Sequence, residues 1–428
     1  MNILRRALRF VQRRKEIDAR SSWDQRRCPY CGAEGSIGWG YYTRHPWLLV
    51  GQLTIKVHRY MCKKCDRTHS EKFGWIREKC RYSREVQRKA IDQWMHGRTS
   101  LRRVAEFLRS EMGMQERWYM WACETIKKGF KVCFLNASTV CRWKQKAGIE
   151  AEKSIPGQLE GIESSGEMGT DGLWVRMAGK AKGVILALMD SKTGLIYPPF
   201  LARDEKSTTS WKQLFDRAKE AGLKPKKLNG VTSDGAHGLQ SFLRKWMPGV
   251  HHQRCVWHIW RNLGPKIRHL VAQEIAGKVG EEAEKARVTL TRELTSLIHR
   301  ILDAATYEKS EEALAELAAH RLGTLLANYL RPLLDAIQYY RMPCHDGLVR
   351  VGPEWMWRDF RQRVSRGRNH GADDNWERAA LLWAIYWNFT PAQRRSERKR
   401  TYRRSGKSPL EMAGTPPGDI TYLDALGV

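Results

Sequence analysis

Two Cys-x-x-Cys pairs, Cys28 and Cys31 in CPYC and Cys62 and Cys65 in CKKC, stand 30 residues apart and constrain this chain more than any other feature. Two thiolates at that spacing reach adjacent corners of one tetrahedron, and a second pair closes a four-sulfur site with no position left for water or substrate. The strand-like run QLTIKVHRYMC leads into the second pair, so the pattern reads as a structural zinc ribbon. A ribbon this small has little core of its own, and zinc binding supplies its folding energy. A redox dithiol belongs beside a βαβ unit, and neither pair has one. Cys80, Cys123, Cys133, Cys141 and Cys344 lack any such spacing and read as ordinary core or surface thiols.

The chain carries 76 Lys and Arg against 46 Asp and Glu, a formal charge of +30. An excess of this size calls for a polyanionic partner, nucleic acid first and an anionic membrane surface second. The longest apolar run, Ala379 to Trp387, falls far short of the roughly 20 residues that cross a bilayer, so no membrane span is expected. The opening MNILRRALRFVQRRK reads as a basic helix against DNA phosphates or solvent; a transit peptide is the rival, against which its lack of serine counts. With no secretory signal, ten cysteines read as reduced thiols and metal ligands, and a cytoplasmic protein is expected.

At 428 residues about two to four domains are expected. Residues 1–80 hold the basic helix and the ribbon. Residues 81–153 are helical: the run 84–109 gives two amphipathic helices broken at Gly97, and LNASTVCRWKQKAG gives a third. This is a helix-turn-helix silhouette, whose recognition helix takes short polar residues near its start and basic ones later; Ser138, Thr139, Arg142 and Lys144 supply them. A plain helical bundle is the alternative, and the roughly 25 residues between Arg109 and Leu135 exceed the usual tight turn of the motif. SIPGQLEGIESSGE places a linker at 154–166.

Residues 167–390 read as an α/β catalytic domain. Three strand-like runs, MGTDGLWVRM, GVILALMD and GLIYPPFL, are followed by a helix over 208–221, the strand LNGVTSD, a helix HGLQSFLRKWM and a short strand at 251–256. An all-helical insertion occupies about 265–345, and 391–428 is a basic tail containing RRSERKRTYRRSGK. Asp171 lies in the first strand and Asp234 ends the fourth. In an RNase H-like sheet those strands are neighbours, so their carboxylates converge and share hard divalent cations. On pattern alone, a single Asp at a strand end is more often a turn or cap residue.

The string SDGAHGLQSFLRKWMPGVHHQRCVWHIWRN resembles bacterial insertion-sequence transposases of the mutator-like superfamily, in which an Asp-Gly, a Pro and Q-x-C-x-x-H-x-x-R-N follow in that order. The resemblance implies an RNase H-like fold with Asp171 and Asp234 as the first two catalytic acids. It makes Cys255 and His258 the family's C/D-x-x-H element ahead of a helical insertion; with only two ligands visible they read as supporting the site without binding zinc, and core packing with a helix cap is the alternative. It puts the third acid after the insertion, ahead of spaced arginines. Glu354 fits, with Arg358 and Arg361 as DNA contacts, although Gly and Val stand where the family carries polar residues; Asp359 and Glu377 are the alternatives. The ribbon and helix-turn-helix resemble a different insertion-sequence family, so the chain reads as a composite.

The function implied is a DDE transposase that binds double-stranded transposon-end and target DNA, assembles as a homodimer or larger on it, and uses Mg²⁺ or Mn²⁺ on Asp171, Asp234 and Glu354, with Zn²⁺ on the ribbon. A non-catalytic DNA-binding regulator descended from such an enzyme is the rival. An RNase H-like RNA nuclease shares the metal chemistry but leaves the DNA-recognition modules without a role.

Overall fold

The structure, a computed structural model, describes residues 27–114, 135–177, 181–345, 348–364, 373–391 and 406–427. The N-terminal basic helix, Cys123, Cys133 and most of the arginine-rich tail lie outside the described residues. The chain divides into two compact units: Met1–Ala147 with Gln362–Arg368 and Leu423–Val428, and Gly148–Arg361 with Asn369–Tyr422.

The first unit opens on a three-stranded antiparallel sheet in the order β1 (Ile37–Arg44), β4 (Ile55–Met61), β5 (Thr68–Ser70), with β2 (Trp47–Leu48) and β3 (Gly51–Gln52) forming a small hairpin between. Helix α1 (Arg84–Gly97) starts at Ser83, whose hydroxyl accepts from the Val86 amide, and stops where Arg98 turns left-handed at φ 47°. Ser100 caps α2 (Leu101–Glu111) in the same way, so three residues join the pair. Asn136 caps the third helix, α3 (Ala137–Leu159), its side chain accepting from the Thr139 amide at 2.9 Å.

Helix α3 corrects the expected linker at 154–166. Its last turns run through Pro156 to Leu159, because Ala151, Ile155 and Leu159 recur every fourth residue and are all buried; that apolar stripe outweighs the Gly, Ser and Pro that signalled a break.

The second unit holds a five-stranded sheet in the order β10 (His251–Arg254), β9 (Gly230–Ser233), β6 (Glu167–Arg176), β7 (Lys182–Asp190), β8 (Phe200–Ala202). Strand β7 is antiparallel to β6 and β8, whereas β6, β9 and β10 are mutually parallel. The β6–β7–β8 meander is as expected, but GLIYPPFL yields only the short β8. Pro198 and Pro199 have no amide to donate, and Asn388 instead clasps Ile196, accepting from its amide and donating to its carbonyl at 2.9 Å each. Helices α4 (Thr208–Glu220) and α5 (His237–Trp246) pack together through Phe215 and Phe242, ring centres 4.9 Å apart.

Helices α6 (Val256–Glu274), α7 (Gly280–Leu302), α8 (Tyr307–Ala319) and α9 (Thr324–Leu330) form the insertion around a core of their own that includes Leu263, Leu294, Ile298, Leu317 and Leu330. The chain then returns to α10 (Glu354–Val364) and α11 (Asp373–Phe389), where Trp357 stacks on Trp383 and Phe360 meets both rings edge-on in the interior. The C-terminal region is not simply a tail: Ser408 and Glu411 form a capping box on α12 (Pro409–Met412), and Leu410, Tyr422 and Leu426 are buried.

Candidate active site

Parallel register between β6 and β9 pairs Gly169 with Thr232, so two further steps along each strand bring Asp171 and Asp234 level at the carboxyl end of the sheet. That end is where open α/β sheets place ligand-binding chemistry. Asp171 is buried and Asp234 lies just beyond its strand. Gly235 lets the chain turn sharply after Asp234, at φ +86°, and a Cβ there would collide with the Arg254 guanidinium. One Asp234 oxygen accepts from the Ala236 amide at 2.9 Å. Ligand atoms of Asp171, Asp234 and His258 all lie within 4.8 Å of one another.

Glu354 arrives from the far side of the insertion. The chain returns along the face of β6 that carries Glu167, Gly169 and Asp171. Pro353 packs on Gly169, where an added Cβ would come within 3.0 Å of its ring. Glu354 follows directly at the start of α10. The Cys255 sulfur accepts from the Gly352 amide at 3.2 Å, and the Thr232 hydroxyl donates to the Val349 carbonyl at 2.6 Å. The backbone before Glu354 is therefore tied to both β9 and the start of α6. His258 faces Glu354 directly, Nε2 to carboxylate oxygen at 3.0 Å, and Arg261 stands 3.7 Å from the same oxygen.

The electrostatics follow from this crowding. Burial first, then the Asp234 and Glu354 carboxylates, push Asp171 up to about 8. Burial also raises Glu354, against the pull of Arg261 and Arg361, and lowers His258, whose Nδ1 is buried with no hydrogen-bond partner. Several carboxylates that oppose one another's ionisation, beside an orphaned imidazole nitrogen, are a donor set suited to a hard cation.

Glu205 was not anticipated from the sequence. It is raised first by burial and then by Asp234, and it accepts from the Trp174 indole at 3.3 Å. The segment RDEKS reads as a helix-entry turn, and Asp204 does accept from Lys206 and Ser207 amides. The alternatives to Glu354 are engaged elsewhere: Asp359 accepts from the Trp383 indole at 3.0 Å, and Glu377 pairs with Arg217. Arg358 and Arg361 are exposed on α10.

At the other unit, the sulfurs of Cys28, Cys31, Cys62 and Cys65 lie within 4.8 Å of one another, with Cys28–Cys65 at 3.7 Å and Cys31–Cys62 at 3.6 Å. Each knuckle closes by the same turn, in which Gly32 and Asp66, both left-handed, donate to the carbonyls of Cys28 and Cys62. On α3 the expected DNA-facing set needs correction. Ser138 and Arg142 are exposed, but Thr139 and Lys144 are buried, and the Lys144 ammonium lies 5.1 Å from the Trp94 ring centre. Helical spacing of four explains the difference, because the outward stripe is Ser138, Arg142 and Lys146.

Residues 199–338 match the model of the transposase family described as Transposase, Mutator family. The chain is similar to Mutator-family insertion-sequence transposases. The matched stretch contains Asp234, Cys255 and His258 and most of the helical insertion. Two curated relatives are each named as the transposase for insertion sequence element IS256 in transposon Tn4001, one from Staphylococcus aureus and one from Enterococcus faecalis (strain ATCC 700802 / V583); each is 24% identical over 281 residues, covering 63% of this chain. The chain spans 64% of the length of those relatives. Among the described residues no helix is long and apolar enough to cross a membrane.

Proposed function

We propose that this transposase relative is a DDE transposase whose RNase H-like domain cuts the phosphodiester at a transposon end and joins the freed 3′-hydroxyl to target DNA. The observation that carries the reading is the level placement of Asp171 and Asp234 on adjacent parallel strands, with Glu354 delivered to the same edge. The strand order and directions of the sheet support the RNase H-like assignment.

Asp171, Asp234 and Glu354 would hold Mg²⁺ or Mn²⁺. When bound, such ions neutralise charge on the attacking and leaving oxygens of an in-line displacement. The chain's own groups do the positioning. Cys255 holds the Gly352 backbone, His258 orients the Glu354 carboxylate, and Arg261 sets positive charge beside it. DNA recognition falls to the four-cysteine module, read as a zinc ribbon, and to α1, α2 and α3, read as a helix-turn-helix with Ser138, Arg142 and Lys146 outward. Arg358 and Arg361 add phosphate contacts near the acids. Assembly on DNA as a dimer or larger is part of the same reading.

The test is a nicking and joining assay on a duplex carrying the inverted repeats that flank the reading frame, with Mg²⁺ or Mn²⁺ supplied. The expected products are a nick at the repeat boundary with a free 3′-hydroxyl, and joined strands when target DNA is present. A protein that binds those ends yet neither nicks nor joins them would be a regulator instead.

A further inference from the structure

At the amino end of the sheet, opposite the acid cluster, the register Glu167–Gly230–His251 runs as one row across β6, β9 and β10. Paired residues in parallel strands share a face, so Glu167 and His251 flank a glycine that has no side chain. His345 fills the notch: a Cβ on Gly230 would come within 3.0 Å of His345 Cε1 and 2.4 Å of a Glu167 oxygen. His345 Nδ1 lies 2.7 Å from the other Glu167 oxygen, and both side chains are almost fully buried. Its Nε2 lies 2.8 Å from His251 Nδ1. The His251 ring stacks on Tyr339, ring centres 4.6 Å apart, which fixes its plane. Cys344 completes the group, with ligand atoms of the three residues within 4.8 Å of one another.

We propose that His251, Cys344 and His345 form a second zinc site, with Glu167 holding His345 in the tautomer that leaves Nε2 free to ligate. Two imidazole nitrogens and one thiolate are a borderline-soft donor set that suits zinc and not magnesium. A tetrahedral zinc spaces its ligands by about 3.3 to 3.8 Å, given metal–ligand bonds of about 2.0 to 2.3 Å, so small side-chain rotations close the set. A carboxylate behind a ligating histidine is the usual second support of such a metal. With three protein ligands, the fourth position falls to water, and this zinc is more easily stripped than one in a closed four-thiolate site.

The site would act as a clamp. The face of β6 that carries Glu167 also carries Gly169 and Asp171, which receive Pro353 and Glu354 in turn. Four strand residues, about 13 Å, separate the clamp from Asp171. Fixing His345 at one end of this track sets where Glu354 lands at the other. The proposal does not depend on the transposase reading.

The test is elemental analysis and cobalt substitution on the full chain. Wild type should hold two zinc ions per chain, and Cys344→Ser and His251→Gln should each hold one, with unchanged far-ultraviolet circular dichroism. Cys62→Ser should lose the other ion. Cobalt-loaded wild type should lose part of its thiolate-to-cobalt charge-transfer band on Cys344→Ser, and Glu167→Gln should weaken the more labile site by about ten- to a hundredfold. If Cys344→Ser removes no metal and leaves the cobalt spectrum unchanged, the three residues are a hydrogen-bonded chain only and the proposal fails.

Discussion

His258 Nε2 lies 3.0 Å from a carboxylate oxygen of Glu354, which joins the start of the helical insertion to the first residue of α10. If that contact orients the third acid, His258→Ala should lower end cleavage by about ten- to a hundredfold, the usual cost of losing a group that supports a metal ligand. His258→Gln, which restores a donor, should recover part of the loss. Equal rates for wild type and His258→Ala would remove the residue from the mechanism.

Asp171→Ala, Asp234→Ala and Glu354→Ala should each depress Mg²⁺-dependent nicking by at least about a hundred- to a thousandfold, the cost of removing one preorganised charge-stabilising group. Binding to end DNA, measured by gel shift, should persist. Asp359→Ala loses a bond to the Trp383 indole and Glu377→Ala an ion pair with Arg217, so both should cost stability while still nicking. A dead Glu377→Ala beside an active Glu354→Ala would assign the third acid to α11.

Asp171 titrates near 3.8 when free and about 8 when folded. A carboxyl whose folded value is raised contributes stability that is fully present below the lower value and is lost as pH climbs through the higher one. In magnesium-free buffer, wild type should therefore lose stability relative to Asp171→Asn between pH 5 and 8, with a differential slope approaching about 1.4 kcal/mol per pH unit. Denaturant titrations at several pH values measure it, and parallel curves for the two proteins would contradict the burial and crowding described for Asp171.

Arg142→Ala and Lys146→Ala should each weaken binding across DNA sequences and flatten the log-log salt dependence by about one unit if each neutralises one phosphate. Lys144→Ala should behave differently, because its ammonium is buried over the Trp94 ring. It should shift thermal stability and leave the salt slope alone. A flattened slope for Lys144→Ala with no thermal shift would reverse the assignment of faces on α3.

What the sequence made legible followed from short-range pattern. The Cys-x-x-Cys spacing, the meander after Gly166, the Asp-Gly turn at Asp234 and the Cys255-x-x-His258 string each lie within a few residues of their partners or repeat with a strand or helix period. What escaped depends on contacts between distant positions. Glu205 meets the acid cluster from a loop that reads as a helix cap. Cys344, which reads as an ordinary thiol, and His345 reach His251 across the whole insertion. Lys144 departs from the expected DNA-facing set for a different reason: a basic residue at helical spacing can snorkel inward over an aromatic ring, and charge alone does not report its face.

The Val256 amide donates to the Arg350 carbonyl at 2.9 Å, and the Gly352 amide donates to the Cys255 sulfur. The helical excursion between them thus starts and finishes at one stitched doorway. Its helices α7 and α8 fold around a private interior, so their length is decoupled from the acids outside. Because closure entropy grows only with the logarithm of loop length, lineages can lengthen, trim or exchange this cassette at small thermodynamic cost. What they must preserve is the doorway and the return segment, whose Tyr339 and His345 meet the sheet at His251 and Glu167.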